Sequence, residues 1–428
     1  MKVFSMFDGV GGFTVGLNNA DADYFRTLYS NQYEPSRKVQ EAFDVGVLRF
    51  PEIEHIGSDV AEIPNEKFVE MRENGVDMIV GGFPCQDYSV ARSKKFELGI
   101  EGKKGVLFWQ IIRATEHIKP KYLVLENVDR LLKAPSKQRG RDFAVMLTAF
   151  NQLGYSVEWR VINAAEYGCA QRRRRVFFFI YRNDTPWARH LDEVYGKGEE
   201  TPEFKTYEDY LFKNGLFARQ FPVEGEPVKG RAHCKSLGDD IFTVSQTFSD
   251  AKMWNTGVMR HGNYYTCDTK PIEERAVTLG EIVVDESTVA PEFYLSEEKV
   301  EKFKYLRGPK RIERISAEGH TYTYSEGGMS EYDSLDLPSR TMLTSEGSTN
   351  RSTHLLKING RYRLLTPIEA ERLQGFPDDW TKFRKDPKTG KVVEVPARMR
   401  WFFMGNALVT NIVTRIGLEL KEIDEKFK

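Results

Sequence analysis

An α/β fold built on a doubly wound sheet is what the first 180 or so residues predict, and two observations predict it. Short apolar runs alternate with segments of helical period, and a glycine-rich turn, "FDGVGGF", follows the first run and opens a helix. The length of 428 residues exceeds what one ordinary core takes up, so a second region is expected. A hydrophobic share of 40% with 29% charged residues describes a globular chain. Its longest wholly apolar stretches, such as "VFFFIY", fall far short of the roughly 18 residues that a membrane span needs. The start, "MKVFSMFDGVGG", has no apolar signal core, which points to the cytoplasm.

"KVFSMF" reads as the first strand, followed by the glycine turn and the helix-like "FTVGLNNA". "TLYSN" is the second strand, leading into "SRKVQEAFDVGVLRF", and "DMIVGG", "YLVLEN", "VEWRVI" and "RRVFFFIYR" continue the series. In "RDFAVMLTAFNQLG" Phe143, Met146, Leu147, Phe150 and Leu153 share one helical face, and Gly154 stops the helix. From about Asn183 to Ser339 the pattern loosens, rich in Gly, Tyr and charge, with only "SEEKVEKFKYL" clearly helical. "TPIEAERLQGF" places Pro just inside a helix start, and "LVTNIVTRIGLELKEI" is long and apolar enough to return to the first core.

Strand ends of an open α/β sheet face the ligand crevice, so the polar residues there carry the chemistry. Gly9, Gly11 and Gly12 run GxGG rather than GxGxxG, which suits an adenosine with a short tail better than a pyrophosphate. Gln32 and Glu34 after the second strand, and Asp59 after "IEHIGS", offer groups for ribose hydroxyls and an adenine amine. Cys85 follows "DMIVGGFP" and Glu126 ends "YLVL", pairing a nucleophilic thiol with a carboxyl able to exchange a proton with a ring nitrogen. In "QRRRR" the alternate residues Arg173 and Arg175 face one way. The four cysteines, Cys85, Cys169, Cys234 and Cys267, form no CxxC pair, so neither a zinc site nor a disulfide framework is expected. A net charge of −1 gives no sign of a polyanion partner, and any such partner has to be met locally. Two stretches offer this: 92–104, with Arg92, Lys94, Lys95, Lys103 and Lys104, and 130–141, with Arg130, Lys133, Lys137, Arg139 and Arg141.

With these residues in place the chain resembles the cytosine-5 DNA methyltransferase family, prokaryotic type. Seven blocks match in the usual order: "FDGVGG", "GGFPCQDYS", "ENV", "QRRRR", "LDLPSRTML", "RYRLLTPIEAERLQGFP" and "MGNALVTNIV". The resemblance implies a Rossmann-like S-adenosylmethionine-dependent domain with a smaller, mostly β target-recognition domain. It divides the chain into a catalytic and cofactor-binding part (1–184), a target-recognition part (185–362), and a hinge with a returning C-terminal helix (363–428). It assigns catalysis to Cys85, Glu126, Arg173 and Arg175, with Arg173 on the 2-oxo group of a flipped cytosine. Cofactor binding falls to Phe7, Gly9, Gly11, Gly12, Gln32, Tyr33, Asp59, Pro84 and Asn406. DNA contacts fall to Gln86, Ser89, Arg92, Lys94, Lys95 and Arg340, with 86–105 as a loop closing over the base and residues 276–335 choosing the sequence. S-Adenosyl-L-methionine is the implied cofactor, S-adenosyl-L-homocysteine the product, and no metal is implied. Double-stranded DNA is the implied partner of a monomer that does not touch membranes, and a cognate restriction endonuclease encoded elsewhere is a second one.

The chain departs from the family pattern at two places. Gln32 stands where many members carry a ribose-binding glutamate, and the last block reads "GNALV" rather than the commoner serine-containing form. An amide still donates to and accepts from ribose hydroxyls. Two rivals fare worse. A transfer-RNA methyltransferase of the same fold resembles a different "CFT" signature near the acid, and a nicotinamide oxidoreductase leaves Cys85, Glu126 and the arginines unexplained.

Overall fold

The computed structural model describes residues 1–83, 107–197, 204–238, 240–315 and 319–428. Its centre is a ten-stranded sheet in the order β3-β2-β1-β4-β5-β7-β6-β9-β10-β8. The first five are parallel: β1 (Lys2–Met6), β2 (Arg26–Asn31), β3 (Glu54–Ile56), β4 (Val76–Gly82) and β5 (Tyr122–Asn127). The chain winds outward from β1 through β2 to β3, then restarts on the other side at β4. The crevice between β1 and β4 is therefore the topological switch point, where open α/β sheets bind ligands.

Beyond β5 the sheet is not parallel, contrary to the sequence expectation. β7 (Arg174–Arg182) is antiparallel to both β5 and β6 (Tyr155–Asn163), and β9 (Thr256–Arg260), β10 (Asn263–Cys267) and β8 (Ala232–Ser236) continue antiparallel. Nor does the sheet end near residue 184, where the smaller domain was expected to begin, since three of its strands lie within 232–267. The join is made by short connections that carry little periodicity. His261 and Gly262, both at positive φ, form the two-residue turn between β9 and β10. The loose region also holds helices the sequence pattern misses, including Pro186–Tyr195, capped by Thr185, and Ile241–Thr247, capped by Asp240. Seven to ten residues show too few turns for a clear apolar stripe.

Buried charge pins this added segment to the sheet. Glu158 accepts from the Tyr210 hydroxyl at 2.7 Å and from the Leu216 amide at 3.0 Å. Arg160 donates to the carbonyls of Phe221 and Leu211 at 2.7 and 2.6 Å. Both side chains are fully buried, so each hydrogen bond offsets a desolvation cost that an unpaired group would leave standing.

Apolar layers cover both faces. In β7, Val176, Phe178 and Ile180 enter one core with Phe108, Phe143 and Trp159, while Phe177, Phe179 and Tyr181 enter the other. Each fully buried aromatic contributes about 1.5–3 kcal/mol. The helix Thr410–Lys426 lies in the second core against the first helix, Gly12–Asp21, as its apolar length leads one to expect. A third cluster, with Val10, Met342, Leu365, Trp401 and Phe403, closes the crevice end.

Candidate active site

Met6 ends β1, and the chain turns sharply through Phe7, Gly9 and Gly11, all at positive φ. A Cβ at Gly11 would stand 2.5 Å from the Phe50 ring, so this turn needs glycine. Gln32, at the end of β2, accepts from the Gly9 amide at 2.8 Å and fixes the loop. Gln40 does the same for the next loop: its Oε1 accepts from the Glu34 amide and its Nε2 donates to the carbonyls of Glu34 and Arg37.

Between these loops lies a cavity of about 510 Å³. Phe7, Gly9, Gly12, Gln32 and Tyr33 line one side, and Asn406 stands on the wall made by the helix Ala397–Asn406. Gly11 turns away onto Phe50, and Asp59, expected here, instead accepts from the Ala61 amide at 3.0 Å and caps a short helix outside the lining. Much of the lining has no place in the sequence assignment, Asp8, Glu41, Phe402 and Phe403 among it. Asp8 lay in plain view inside the quoted loop. Burial pushes its carboxyl up to about 6, against a hydrogen bond from Ser5 that pulls it down.

Glu126 opens onto the same cavity. Arg175 Nε meets its Oε1 at 2.9 Å, and Gly82 leaves it room, since a Cβ there would come within 3.3 Å of Oε2. Desolvation raises the Glu126 carboxyl, outweighing the opposing pull of Arg175 and then Arg173. Next along β5, Asn127 donates to the Phe83 carbonyl at 2.8 Å, tying the exit of β4 to the acid's strand. Cys85 is two residues beyond Phe83; it lies outside the described residues, as do Pro84, Gln86, Ser89, Arg92, Lys94 and Lys95.

The two arginines separate. Arg173 is buried and donates to the carbonyls of Met342 and Gly405, each at 3.1 Å. Those two contacts hold the guanidinium on backbone, while its Nε finds no partner among the described residues and the side chain also lines the cavity. Arg175, by contrast, leaves Nη2 without a partner among the described residues. Arg340 also turns inward, pairing with Asp333 at 2.6 Å beside the buried Arg307. Ser339, His354 and Glu346 form a hydrogen-bonded relay at 2.8 and 2.9 Å, but all three are buried, so the relay ties loops together and faces no substrate.

A cofactor-sized cavity at the switch point of a doubly wound sheet, with a buried carboxyl and its paired arginine at the rim, defines a Rossmann-like methyltransferase. The chain belongs to the C-5 cytosine-specific DNA methylase family, whose model matches residues 1–422. It is an S-adenosylmethionine-dependent DNA (cytosine-5-)-methyltransferase. It is 54% identical over 424 residues to the Type II methyltransferase M.Sau3AI of Staphylococcus aureus, covering 99% of this chain and 96% of that one. Against the Type II methyltransferase M.HhaI of Haemophilus parahaemolyticus it is 31% identical over 184 residues, 43% of this chain and 50% of the other. Among solved structures, the Dnmt2 methyltransferase of S. pombe superposes with a TM-score of 0.58 over 99% of both chains at 13% identity, a likeness of fold.

Proposed function

We propose that the protein methylates carbon 5 of a cytosine flipped out of a specific duplex DNA sequence, through a transient covalent bond from Cys85. The observation that carries this reading is the Glu126–Arg175 pair, held one strand from the exit of β4 toward Cys85. A stacked base offers neither face to a nucleophile and a methyl donor together, which is why the base has to leave the helix.

The residues around the cavity fit S-adenosylmethionine. A glycine turn lets the ligand approach the backbone, acidic and amide groups at Glu34, Glu41 and Asn406 suit hydroxyls and amines, and Phe402 offers an apolar face. When bound, this group supplies an electrophilic methyl to the reacting carbon.

The protein's own part begins with the Cys85 thiolate forming a bond to ring carbon 6. The displaced electron pair moves toward ring nitrogen 3, where Glu126 delivers or shares its proton, making carbon 5 nucleophilic. Arg175, whose Nη2 has no partner among the described residues, takes the 2-oxo group, and Arg173 holds the segment around Met342 in place. After transfer a base removes the proton at carbon 5, the bond to Cys85 breaks and nitrogen 3 returns its proton to Glu126, restoring the aromatic ring, the thiolate and the acid. Residues 185–362 include the part that chooses the target, and the enzyme acts as a cytoplasmic monomer beside a restriction endonuclease of the same specificity. Among the described residues no helix is long and apolar enough to cross a membrane.

Incubation with tritiated S-adenosylmethionine and plasmid DNA, followed by mapping of 5-methylcytosine, tests the reaction. DNA carrying 5-fluorocytosine at the mapped position should trap a denaturant-stable complex, and Cys85→Ala should abolish transfer while keeping DNA affinity. Methylation that persists in this variant would overturn the adduct.

A further inference from the structure

Lys310–Ile315 (β11) and Thr321–Glu326 (β12) form an antiparallel two-stranded sheet that joins no other sheet. Every residue from Arg311 to Ile315 is exposed, as are Thr321, Tyr322 and Thr323. A ribbon open on both faces has little core to hold it, and such pairs are marginal alone. Its apolar side chains are nonetheless large: Ile312 is 37% exposed, Tyr322 47% and Ile315 73%.

The register sorts the side chains. Ile312 stands opposite Tyr324 and Arg314 opposite Tyr322, so one face carries Ile312, Arg314, Tyr322 and Tyr324 together. The Arg314 guanidinium lies over the Tyr324 ring at 4.0 Å, a cation–π contact that holds it against the ribbon. Among the described residues no carboxylate pairs with Arg311 or Arg314.

The base of the ribbon is firmly mounted. Lys310 pairs with Glu326 at 3.2 Å, Arg351 with Glu326 at 2.5 Å, and Arg351 also donates to the Gly327 carbonyl. The Met329 amide donates to the carbonyl of Arg307, whose buried side chain holds Asp333 at 2.7 Å and the Thr353 carbonyl at 2.7 Å. Arg351 follows Met342 in the chain, and the Met342 carbonyl accepts from Arg173 of the cavity wall, so the base of the ribbon is tied to that wall.

The geometry points to this ribbon as the element that reads the DNA sequence, with its Ile312–Arg314–Tyr322 face in the major groove. The inference rests on the reading of the chain as a duplex-DNA methyltransferase. A two-stranded ribbon fits that groove, which is about 12 Å wide. Arginine, with two parallel donors, suits the paired acceptors of guanine, and Ile and Tyr suit the methyl group of thymine. A surface that served phosphates alone would have no use for exposed apolar side chains between its cations.

The full-length enzyme is first used to map methylated cytosines on a plasmid. Rates on duplexes changed singly at each base pair of the mapped site are then compared for wild type, Arg314→Ala and Ile312→Ala. Arg314→Ala should lose discrimination at one guanine by roughly tenfold or more, and Ile312→Ala should lose it at a neighbouring pair, with melting temperature and S-adenosylmethionine affinity kept. A uniform fall at every duplex, with a shallower salt dependence, would make the ribbon a phosphate contact and overturn the assignment. So would unchanged discrimination at every base pair. A wild type that marks no cytosine in duplex DNA would defeat the underlying reading instead.

Discussion

The Glu126 carboxyl is raised above its ordinary range because burial costs its anion more than Arg175 and Arg173 return. A proton donor works only while protonated, so its contribution fades as pH rises through the raised value. Glu126→Gln should slow single-turnover methylation by roughly two to four decades and remove that alkaline decline. The arginines divide by what they touch. Arg173→Ala strips two buried carbonyls of their donor, at about 1–3 kcal/mol each, and should lower the melting temperature sharply. Arg175→Ala should leave melting nearly unchanged and cut the rate, and the reverse pattern would exchange their roles. Asp8 offers a pH test. Its folded value of about 6 lies above the ordinary 3.8, so its stabilising contribution is complete below 3.8 and lost as pH rises through 6. Asp8→Asn should therefore gain stability over wild type at pH 8, up to about 3 kcal/mol, with the gap closing toward pH 4 in thermal melts.

At the scale of elements, the glycine at the crossing of the first and last helices decides how closely they approach. A Cβ at Gly16 would stand 2.5 Å from that of Val413 and 2.8 Å from the Thr410 carbonyl. Gly16→Ala should cost about 1–3 kcal/mol in chemical denaturation. It should also weaken S-adenosylmethionine binding in calorimetry, because the displaced helix follows directly on the pocket residues Asn406 and Leu408. Which elements were legible in the sequence follows from the same physics. β1, β4 and β5 were plain because buried parallel strands are unbroken apolar runs, and their ends marked Glu126 and the glycine loop. Strand direction was not plain: "RRVFFFIYR" is equally apolar whether parallel or antiparallel, and only the pairing with β5 and β6 decides. The fate of Arg173 was hidden for a related reason, since its carbonyl partners lie 169 and 232 residues away. Aromatic content did not separate core from surface: in "GNYYT" Tyr264 and Tyr265 are fully buried, while in "TYTYSE" Tyr322 stands exposed.

For the whole molecule, a net charge of −1 conceals an uneven surface. β6 ends, β9 begins, β10 ends and β8 begins on the edge of the sheet that also carries Glu126. Near that edge Lys133 and Arg231 flank the ring of Trp254 at 5.5 and 5.6 Å, and Arg130, Lys137, Arg139 and Lys252 are exposed close by in sequence. DNA affinity should fall steeply with salt, each neutralised phosphate adding about 0.9 to the log–log slope. The double variant Arg130→Gln, Lys133→Gln should flatten that slope by about 2 and leave the methylated sequence unchanged, as filter binding and methylation mapping would show. A slope indifferent to these lysine and arginine side chains would make the row solvated surface.

The cavity is walled by Phe7 to Phe13 on one side and by Met399 to Leu408 on the other. During translation these two walls leave the ribosome on the order of tens of seconds apart, so every strand of the sheet is synthesised before the methyl donor has a place to bind. A polypeptide interrupted anywhere before Met399 lacks one wall of that place, and should bind no S-adenosylmethionine in calorimetry.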